Sequence, residues 1–215
     1  MSNIAVFGGT GYLASLIRNQ NKTQNNYFFF SRKKNVKNCH NYFSYKKKFG
    51  SFKNIDFIIH LAGPSQQQLK KNKGLIKKKN KITLDICNLC LQHDIKLIYI
   101  SSLQVYKNYG IDSLSTKSKL NLKNLYSKSH YETEQVIFNK ILKKKMFTIL
   151  RIGNVFGFQK YENIREINNN LIHGFCFSAL KTNKIIIKNG FIQRSFVPSK
   201  VFIEVINSII KNNYF

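Results

Sequence analysis

The fold is decided by the stretch from residue 3 to residue 18, which reads NIAVFGGTGYLASLIR. A short apolar run leads into Gly8, and helical spacing of the apolar residues begins after Gly11. Gly8 permits a tight turn, Gly11 lets a phosphate approach the backbone, and Ala14 allows the helix to pack closely on the strand. Free amides at the start of a helix bind phosphate oxygens. We therefore predict a Rossmann-type unit in which the pyrophosphate of a dinucleotide is held by Gly8, Gly9, Thr10, Gly11, Tyr12 and Leu13.

The next part of the chain alternates apolar strands with helices. Further strands are predicted at residues 27–30, 55–61, 96–100 and 147–152. Helical spacing covers residues 80–93 and 126–144. Because such alternation is typical of βαβ units, we predict an α/β fold with a doubly wound parallel sheet and right-handed crossovers. Ligands of such folds bind beyond the carboxyl ends of the strands.

The pattern changes after residue 157. A helix is predicted at residues 168–180, strand-like segments at 184–188 and 193–197, and a last helix at 199–212. We assign residues 1–157 to a dinucleotide-binding domain and residues 158–215 to a smaller, partly truncated substrate-binding lobe.

The chain is strongly basic, with a formal charge of +27 from 36 Lys and Arg against 9 Asp and Glu. Such a field attracts polyanions, so one function that the charge could indicate is binding to nucleic acid. The lysine runs are spread along the chain and form no single arm, which favours a general bias in residue usage over a nucleic-acid site. The milder expectation is a positive surface that draws in negatively charged nucleotide substrates.

Neither a leader nor a membrane segment is evident in the sequence, since no apolar run approaches the ~20 residues of a membrane span. We therefore expect a cytoplasmic protein with no membrane partner. The four cysteines fit reduced thiols in that compartment. Cys87 and Cys90 form a C-x-x-C pair without a second pair, inside an apolar helical pattern, so we assign them to core packing and expect no metal site.

The end of the second predicted strand bears on the choice of cofactor. A site selective for NAD usually has an acidic residue there, which bonds the ribose 2′-hydroxyl. This chain has Ser31 and Arg32 at that point. Because an arginine suits a 2′-phosphate, NADP is favoured as the cofactor and NAD is the alternative. Arg32 can also be read as one more surface cation.

A second group of polar residues follows the strand at 96–100. Ser101 and Ser102 end that strand, and Tyr126, His130 and Glu134 follow at four-residue spacing on a helix. At these residues the chain resembles the extended short-chain dehydrogenase/reductase family, the NAD(P)-dependent epimerases and dehydratases of nucleotide sugars. The resemblance implies that Tyr126 is the general acid and base and that Ser102 bonds the reacting oxygen. The further cofactor contacts that it implies are Leu61, Ala62, Gly63, Asn80, Ser101, Tyr126, His130, Ile152, Asn154 and Val155.

The resemblance continues into the smaller lobe. Asn170 matches the asparagine of a segment that contacts the substrate diphosphate, and Arg194 matches an arginine that binds the same diphosphate. Ser102 and Asn154 complete the implied substrate contacts. The alternative for Arg194 is an exposed cation. The resemblance also leads us to expect a homodimer formed through the helix that carries Tyr126.

Three departures from the family pattern affect the expected chemistry. His130 stands where the family has a lysine whose charge lowers the pKa of the catalytic tyrosine. Leu103 and Gln104 replace the Asp-Glu pair of the nucleotide-sugar 4,6-dehydratases, which disfavours that reaction because neither side chain does acid–base work. The chain also ends at Phe215, soon after the segment with Arg194, so we expect an open sugar pocket, one completed by a partner chain, or a fragment.

We therefore predict an NAD(P)-dependent epimerase or reductase of a nucleotide-linked sugar. His130 leaves open a second interpretation, a catalytically silent dinucleotide-binding sensor or scaffold with the same fold. A third is a basic nucleic-acid binder, whose affinity would fall steeply with salt.

Overall fold

The computed structural model describes residues 1–20, 22–32, 37–42, 54–107, 113–157, 171–187, 190–191 and 193–215. Its strands are β1 (Asn3–Phe7), β2 (Asn26–Ser31), β3 (His40–Asn41), β4 (Phe57–His60), β5 (Lys96–Ser102), β6 (Phe147–Ile152), β7 (Asn154–Phe156) and β8 (Phe196–Pro198). Its α-helices are α1 (Tyr12–Gln20), α2 (Gln66–Lys71), α3 (Leu75–His93), α4 (Leu125–Ile141), α5 (Leu171–Thr182) and α6 (Ser199–Asn212).

The main sheet has six parallel strands in the order β3-β2-β1-β4-β5-β6. This confirms the predicted Rossmann-type α/β fold with its doubly wound parallel sheet. The strand order reverses between β1 and β4, so the loops that leave these strands diverge and leave a crevice at their carboxyl ends. A separate two-stranded sheet pairs β7 with β8.

The core lies on both faces of the main sheet, because successive strand residues point to opposite sides. Ala5 and Phe7 of β1 pack on the side that receives the buried faces of α3 and α4. Ile4 and Val6 pack on the other side, with α1 and α6. Continuous burial of both faces explains why the central strands are apolar runs without alternation. Cys87 and Cys90 are free and buried in the first of these clusters, as predicted.

The segment after residue 157 contributes to the same core. The apolar side of α6 is buried among residues of the main sheet, through Phe202, Ile203, Ile206, Ile209 and Ile210. β8 meanwhile pairs in parallel with β7, which precedes residue 157. The division of the chain into two domains at residue 157 therefore stays a prediction. In the structure, α6 packs into the core of the first of these domains.

Several elements differ from their predicted bounds. α3 starts five residues before the predicted position, because Ile76 and Lys79 are also buried on its inner face. The strand predicted at 184–188 is absent over the described residues 184–187, where Ile186 is 73% exposed and finds no neighbouring strand. β3 has two residues and no apolar run, so the sequence pattern could not indicate it. Among the described helices, none is both long and apolar enough to cross a bilayer.

Candidate functional site

A cavity of about 320 Å³ opens at the carboxyl ends of β1, β4 and β5, where the crevice was expected. Three groups of predicted site residues meet there. The turn after β1 contributes Gly8, Gly11, Tyr12 and Leu13, and the loop after β4 contributes Leu61, Ala62 and Gly63. The remaining predicted residues in its wall are Ser101, Ser102, Tyr126, His130, Ile152, Asn154 and Val155.

The glycine turn is shaped by close backbone contacts. Gly8 has a φ of +94°, and a Cβ at this position would lie 2.8 Å from the backbone nitrogen of Ala62. The amides of Gly8 and Gly9 donate to the carbonyl of Phe30, and the amide of Gly11 donates to the carbonyl of Gly8. These bonds hold the turn against β2 and direct the chain into α1. The first amides of a helix have no acceptor within it, so those of α1 are available to a ligand at the cavity wall.

We expect Gly8→Ala to destabilise the protein by about 1–3 kcal/mol, because the new side chain combines a positive φ with a backbone clash. It should also weaken the binding of a dinucleotide, since the turn must move away from Ala62. Chemical denaturation and a cofactor titration measure the two effects. Gly190→Ala is the matched control, because its Cβ would lie at an ordinary contact distance, 3.9 Å from Cγ2 of Ile187. Equal stability of the two variants would contradict this account of the turn.

Tyr126 lies in the first turn of α4, in the wall of the cavity. The helix is capped by Asn124, whose side chain accepts from the amide of Tyr126 at 2.8 Å. Ser127 donates to the carbonyl of Gln104 at 2.6 Å and so ties α4 to the turn after β5. Burial raises the pKa of Tyr126, and a hydrogen bond with Ser102 acts in the opposite direction. Ser102 and Tyr126 are thus brought together as the sequence predicted.

His130 faces Tyr126 one helical turn further on, with the ring centroids 4.6 Å apart and the ring planes at 66°. The pKa of His130 is lowered well below its usual value, first by burial and then by the positive charge of Lys79 and the nearby His60. The imidazole is therefore neutral at physiological pH. A lysine at this position would carry a charge that His130 does not.

Lys79 and Tyr99, which no sequence motif indicates as site residues, also line the cavity. Lys79 is only 4% exposed, and its Nζ donates to the hydroxyl of Tyr99 at 2.9 Å. That hydroxyl lies 2.8 Å from Nδ1 of His130. Burial lowers the pKa of Lys79 to about 7, although Glu134 acts in the opposite direction. Lys79 follows the buried Ile76 by three residues, so the helical spacing could have indicated that its side chain is buried. However, Lys79 is also the last residue of a lysine run, and such a run is typical of a solvated surface.

A buried ion pair supports the site from below. Glu134 of α4 is fully buried and receives both Nε and Nη2 of Arg151, at 2.9 and 2.5 Å. Ser101 donates to the same carboxylate at 2.5 Å. These contacts join α4, β5 and β6 just behind Ser102 and Tyr126. The bidentate geometry satisfies the buried charge and fixes the relative positions of the three elements.

Other predicted residues lie away from the cavity. Gly9 is buried against β2, and Thr10 belongs to the turn but not to the described cavity wall. Asn80 bonds to Glu132 and Thr133 of α4 at 3.1 Å each, so its amide joins two helices. Ser31 is buried at the end of β2, whereas Arg32 is exposed and lines a neighbouring pocket of about 60 Å³ with Gly63 and Lys79. Arg194 is half-buried outside the wall, and Asn170 lies outside the described residues.

Solved structures share this fold. The UDP-N-acetylglucosamine 4-epimerase from Bacillus cereus superposes with a TM-score of 0.77 at 19% identity, over 100% of this chain and 73% of its own. The enzyme of the same description from Methanobrevibacter ruminantium, in complex with UDP-N-acetylmuramic acid, gives 0.74 at 21% identity, over 94% and 71%. MoeE5, in complex with UDP-glucuronic acid and NAD, gives 0.76 at 17% identity, over 95% and 71%. At such low sequence identities, the structural similarity establishes that these proteins share a fold.

The family comparison covers nearly all of the sequence. No protein of the curated set matches the chain significantly. The profile of the NAD dependent epimerase/dehydratase family, in contrast, matches residues 4–213, from β1 to the end of α6. This confirms the resemblance inferred from Ser102, Tyr126 and Glu134, and it covers both the glycine turn and the helix of Tyr126. The chain belongs to the NAD dependent epimerase/dehydratase family.

Proposed function

We propose that this protein is an NAD(P)-dependent epimerase or reductase of a nucleotide-linked sugar, with Tyr126 as its general acid and base. The observation that carries the proposal is the meeting of the glycine turn with Ser102, Tyr126 and His130 at one cavity. Family membership supports it. The NAD and UDP sugars named for solved structures of the same fold support the choice of cofactor and substrate class.

The cavity suits a nicotinamide dinucleotide because its floor is backbone. A side chain at Gly8 would meet the backbone of Ala62, and one at Gly63 would crowd the side chain of Lys79, with its Cβ 3.3 Å from Cε. When bound, the dinucleotide supplies a hydride acceptor and donor for a carbon of the sugar. The residues proposed to hold it are Gly8, Gly9, Thr10, Gly11, Tyr12, Leu13, Ser31, Arg32, Leu61, Ala62, Gly63, Asn80, Ser101, Tyr126, His130, Ile152, Asn154 and Val155.

Tyr126 would take the proton of a sugar hydroxyl at its phenol oxygen and return it later. A free phenol has a pKa near ~10, so ionisation at neutral pH requires a shift of about 3 units, or about 4 kcal/mol. Burial raises the pKa of Tyr126 by more than the hydrogen bond with Ser102 lowers it. The same Ser102 hydroxyl would bond the reacting oxygen. Further positive charge must therefore reach Tyr126 from its surroundings.

The substrate diphosphate would lie at the edge of the cavity formed by β7 and β8. Asn154 donates from its backbone amide and its side chain to the carbonyl of Ser195, at 2.9 and 3.2 Å. Arg194 directly precedes Ser195 in the sequence, and this supports its proposed role at the edge. A guanidinium at this edge suits phosphate oxygens. Asn170 and Arg194 are proposed as diphosphate contacts, and Ser102 and Asn154 as contacts of the sugar.

We expect Arg32→Ala to reduce any preference for NADP over NAD by about 10-fold or more, because a charge-assisted bond to phosphate contributes about 1.5–3 kcal/mol. Arg32 lines a small pocket together with Gly63 and Lys79. Dissociation constants of both cofactors measure the effect, with the exposed Lys37→Ala as the control for net charge. An unchanged ratio of the two constants in Arg32→Ala would show that Arg32 is a surface cation and would leave NAD as the cofactor.

The proposed activity is tested by incubating the full chain with NAD or NADP and a set of UDP sugars, including UDP-N-acetylglucosamine and UDP-glucuronic acid. We expect at least one sugar to be epimerised or, with reduced cofactor, a keto sugar to be reduced, as detected by chromatography and mass spectrometry. Cofactor binding without conversion of any sugar would contradict the proposal.

A second candidate is a silent dinucleotide-binding sensor or scaffold, and the neutral His130 favours it. Binding of NADP that is unaffected by UDP sugars, with no turnover, would support this candidate. A homodimer formed through α4 and a cytoplasmic location remain proposals. Part of the outer face of α4 is apolar, since Phe138 is 36% exposed.

A further inference from the structure

We propose that Lys79 is a positioning residue that acts through Tyr99 and His130 and supplies the positive charge missing from the fourth position after Tyr126. This inference rests on the proposed function for its catalytic consequence. The inference also predicts which ring nitrogen of His130 is protonated, and this can be measured without any substrate. Two hydrogen bonds link Lys79 to Tyr99 and Tyr99 to His130, and they connect α3, β5 and α4 within the cavity wall.

The directions of the two hydrogen bonds follow from the chemistry of the groups. A lysine ammonium can only donate, so the oxygen of Tyr99 accepts from Lys79. That hydroxyl keeps one hydrogen to donate, and its neighbours are Thr133, Ser101 and Nδ1 of His130, the last at 2.8 Å. An imidazole nitrogen is a stronger acceptor than a hydroxyl oxygen, so we assign the hydrogen to Nδ1, which leaves the ring proton of the neutral imidazole on Nε2. A charged Lys79 thus favours one tautomer of His130, whose ring lies 4.6 Å from that of Tyr126 between centroids.

The positive charge of this cluster stays on Lys79. The hydroxyl of Thr83 donates to the carbonyl of Lys79, so Nε2 of His60 must donate to Thr83 at 2.9 Å. The pKa of His60 is lowered to about 3 by burial and by Lys79, so this imidazole is neutral too. Neither histidine takes up the proton. The nearby carboxylate, Glu134, is already paired with Arg151.

Lys79 has the environment of a functional group. It is buried, and within the described residues it has no carboxylate partner at ion-pair distance. Burying an unpaired ammonium costs stability, so its place in the cavity wall calls for a compensating role. A Cβ at Gly63 would lie 3.3 Å from Cε of Lys79, and the missing side chain keeps the lysine at the cavity surface.

The first test needs no substrate. In the ¹⁵N-histidine NMR spectrum of the full chain, assigned with His130→Gln, we expect His130 to show a protonated Nε2 and an unprotonated Nδ1. Its shifts should change with a midpoint near pH 7, as Lys79 loses its proton. Other titratable groups facing the cluster are His60, Tyr99, Tyr126 and Glu134.

Two lysine variants separate the effect of Lys79 from that of the other groups. In Lys79→Met the change in the His130 shifts near pH 7 should vanish, whereas the exposed Lys78→Met should keep it. A Nδ1-protonated His130 in the native chain, or a change retained in Lys79→Met, would overturn the proposal.

The second test is a rescue. Lys79→Met should lower the turnover of whichever UDP sugar the native chain converts by about 10-fold or more. Adding His130→Lys should restore it, because a lysine then occupies the position that the family uses. A purely structural role of Lys79 would leave the double variant as slow as the single one, and that result would overturn the charge-supply role. If the native chain converts no sugar, the proposed function fails, and the NMR result still decides whether Lys79 sets the state of His130.

Discussion

Tyr126→Phe should lower turnover of the nucleotide sugar by about 10²–10⁴-fold, because it removes the group that carries the proton. The ring remains, so its contact with His130 and its place in the cavity wall are kept. Tyr126 is only one of many residues proposed to hold the dinucleotide, so the loss of its phenol oxygen should change cofactor affinity little. A loss in kcat with unchanged cofactor binding separates a missing acid–base group from a damaged pocket.

The control for this variant lies on the same helix. Tyr131→Phe also removes one phenol oxygen, but Tyr131 is outside the described cavity wall and should retain native turnover. Steady-state kinetics of the three proteins, with cofactor dissociation constants measured in parallel, give the comparison. If Tyr126→Phe turned over as fast as Tyr131→Phe, Tyr126 would not be the acid and base.

Glu134→Ala should lower the free energy of unfolding by about 3–5 kcal/mol, because it leaves the charge of Arg151 without its partner. The carboxylate is fully buried and accepts from both Arg151 and Ser101. Its loss also loosens α4 from β5 and β6, so activity should fall together with stability. Urea denaturation of the full chain measures the stability change.

The matched control is an exposed ion pair. Glu204 lies 3.9 Å from Lys200 at i,i+4 spacing on α6, and both side chains are largely exposed. Glu204→Ala should cost well under about 1 kcal/mol, because solvent screens such pairs. Similar losses in the two variants would mean that the pair formed by Glu134 and Arg151 contributes no more than a surface contact.

Local chemistry made the first part of the fold predictable. The apolar run, the glycines and the helical spacing between residues 3 and 18 depend on neighbours in the sequence, and the strand and helix form there as expected. The last helix was also predicted at its observed bounds, because its apolar side repeats with helical spacing. Elements without a local pattern were missed. β3 has two residues, and the apolar run at 184–187 lacks a partner strand.

The candidate site was predictable only where a motif spans few residues. Tyr126 and His130 share a helix face by spacing alone, and their rings do meet. The bond from Lys79 to Tyr99 joins residues 20 positions apart, and that from Tyr99 to His130 joins residues 31 apart. Such contacts depend on which strands and helices become neighbours, so periodicity could not reveal them. The contacts of Lys79, on which the proposed role of that residue rests, therefore could not be read from the motif.

The most direct test of the central claim is native mass spectrometry of the full chain with added NAD and NADP. The claim is that one dinucleotide binds at the glycine turn beside Tyr126. We expect the native protein and Tyr126→Phe to gain the mass of one dinucleotide to the same extent, and Gly8→Ala to gain it weakly. A folded native protein that retains no dinucleotide, or binding that is unaffected in Gly8→Ala, would contradict the account.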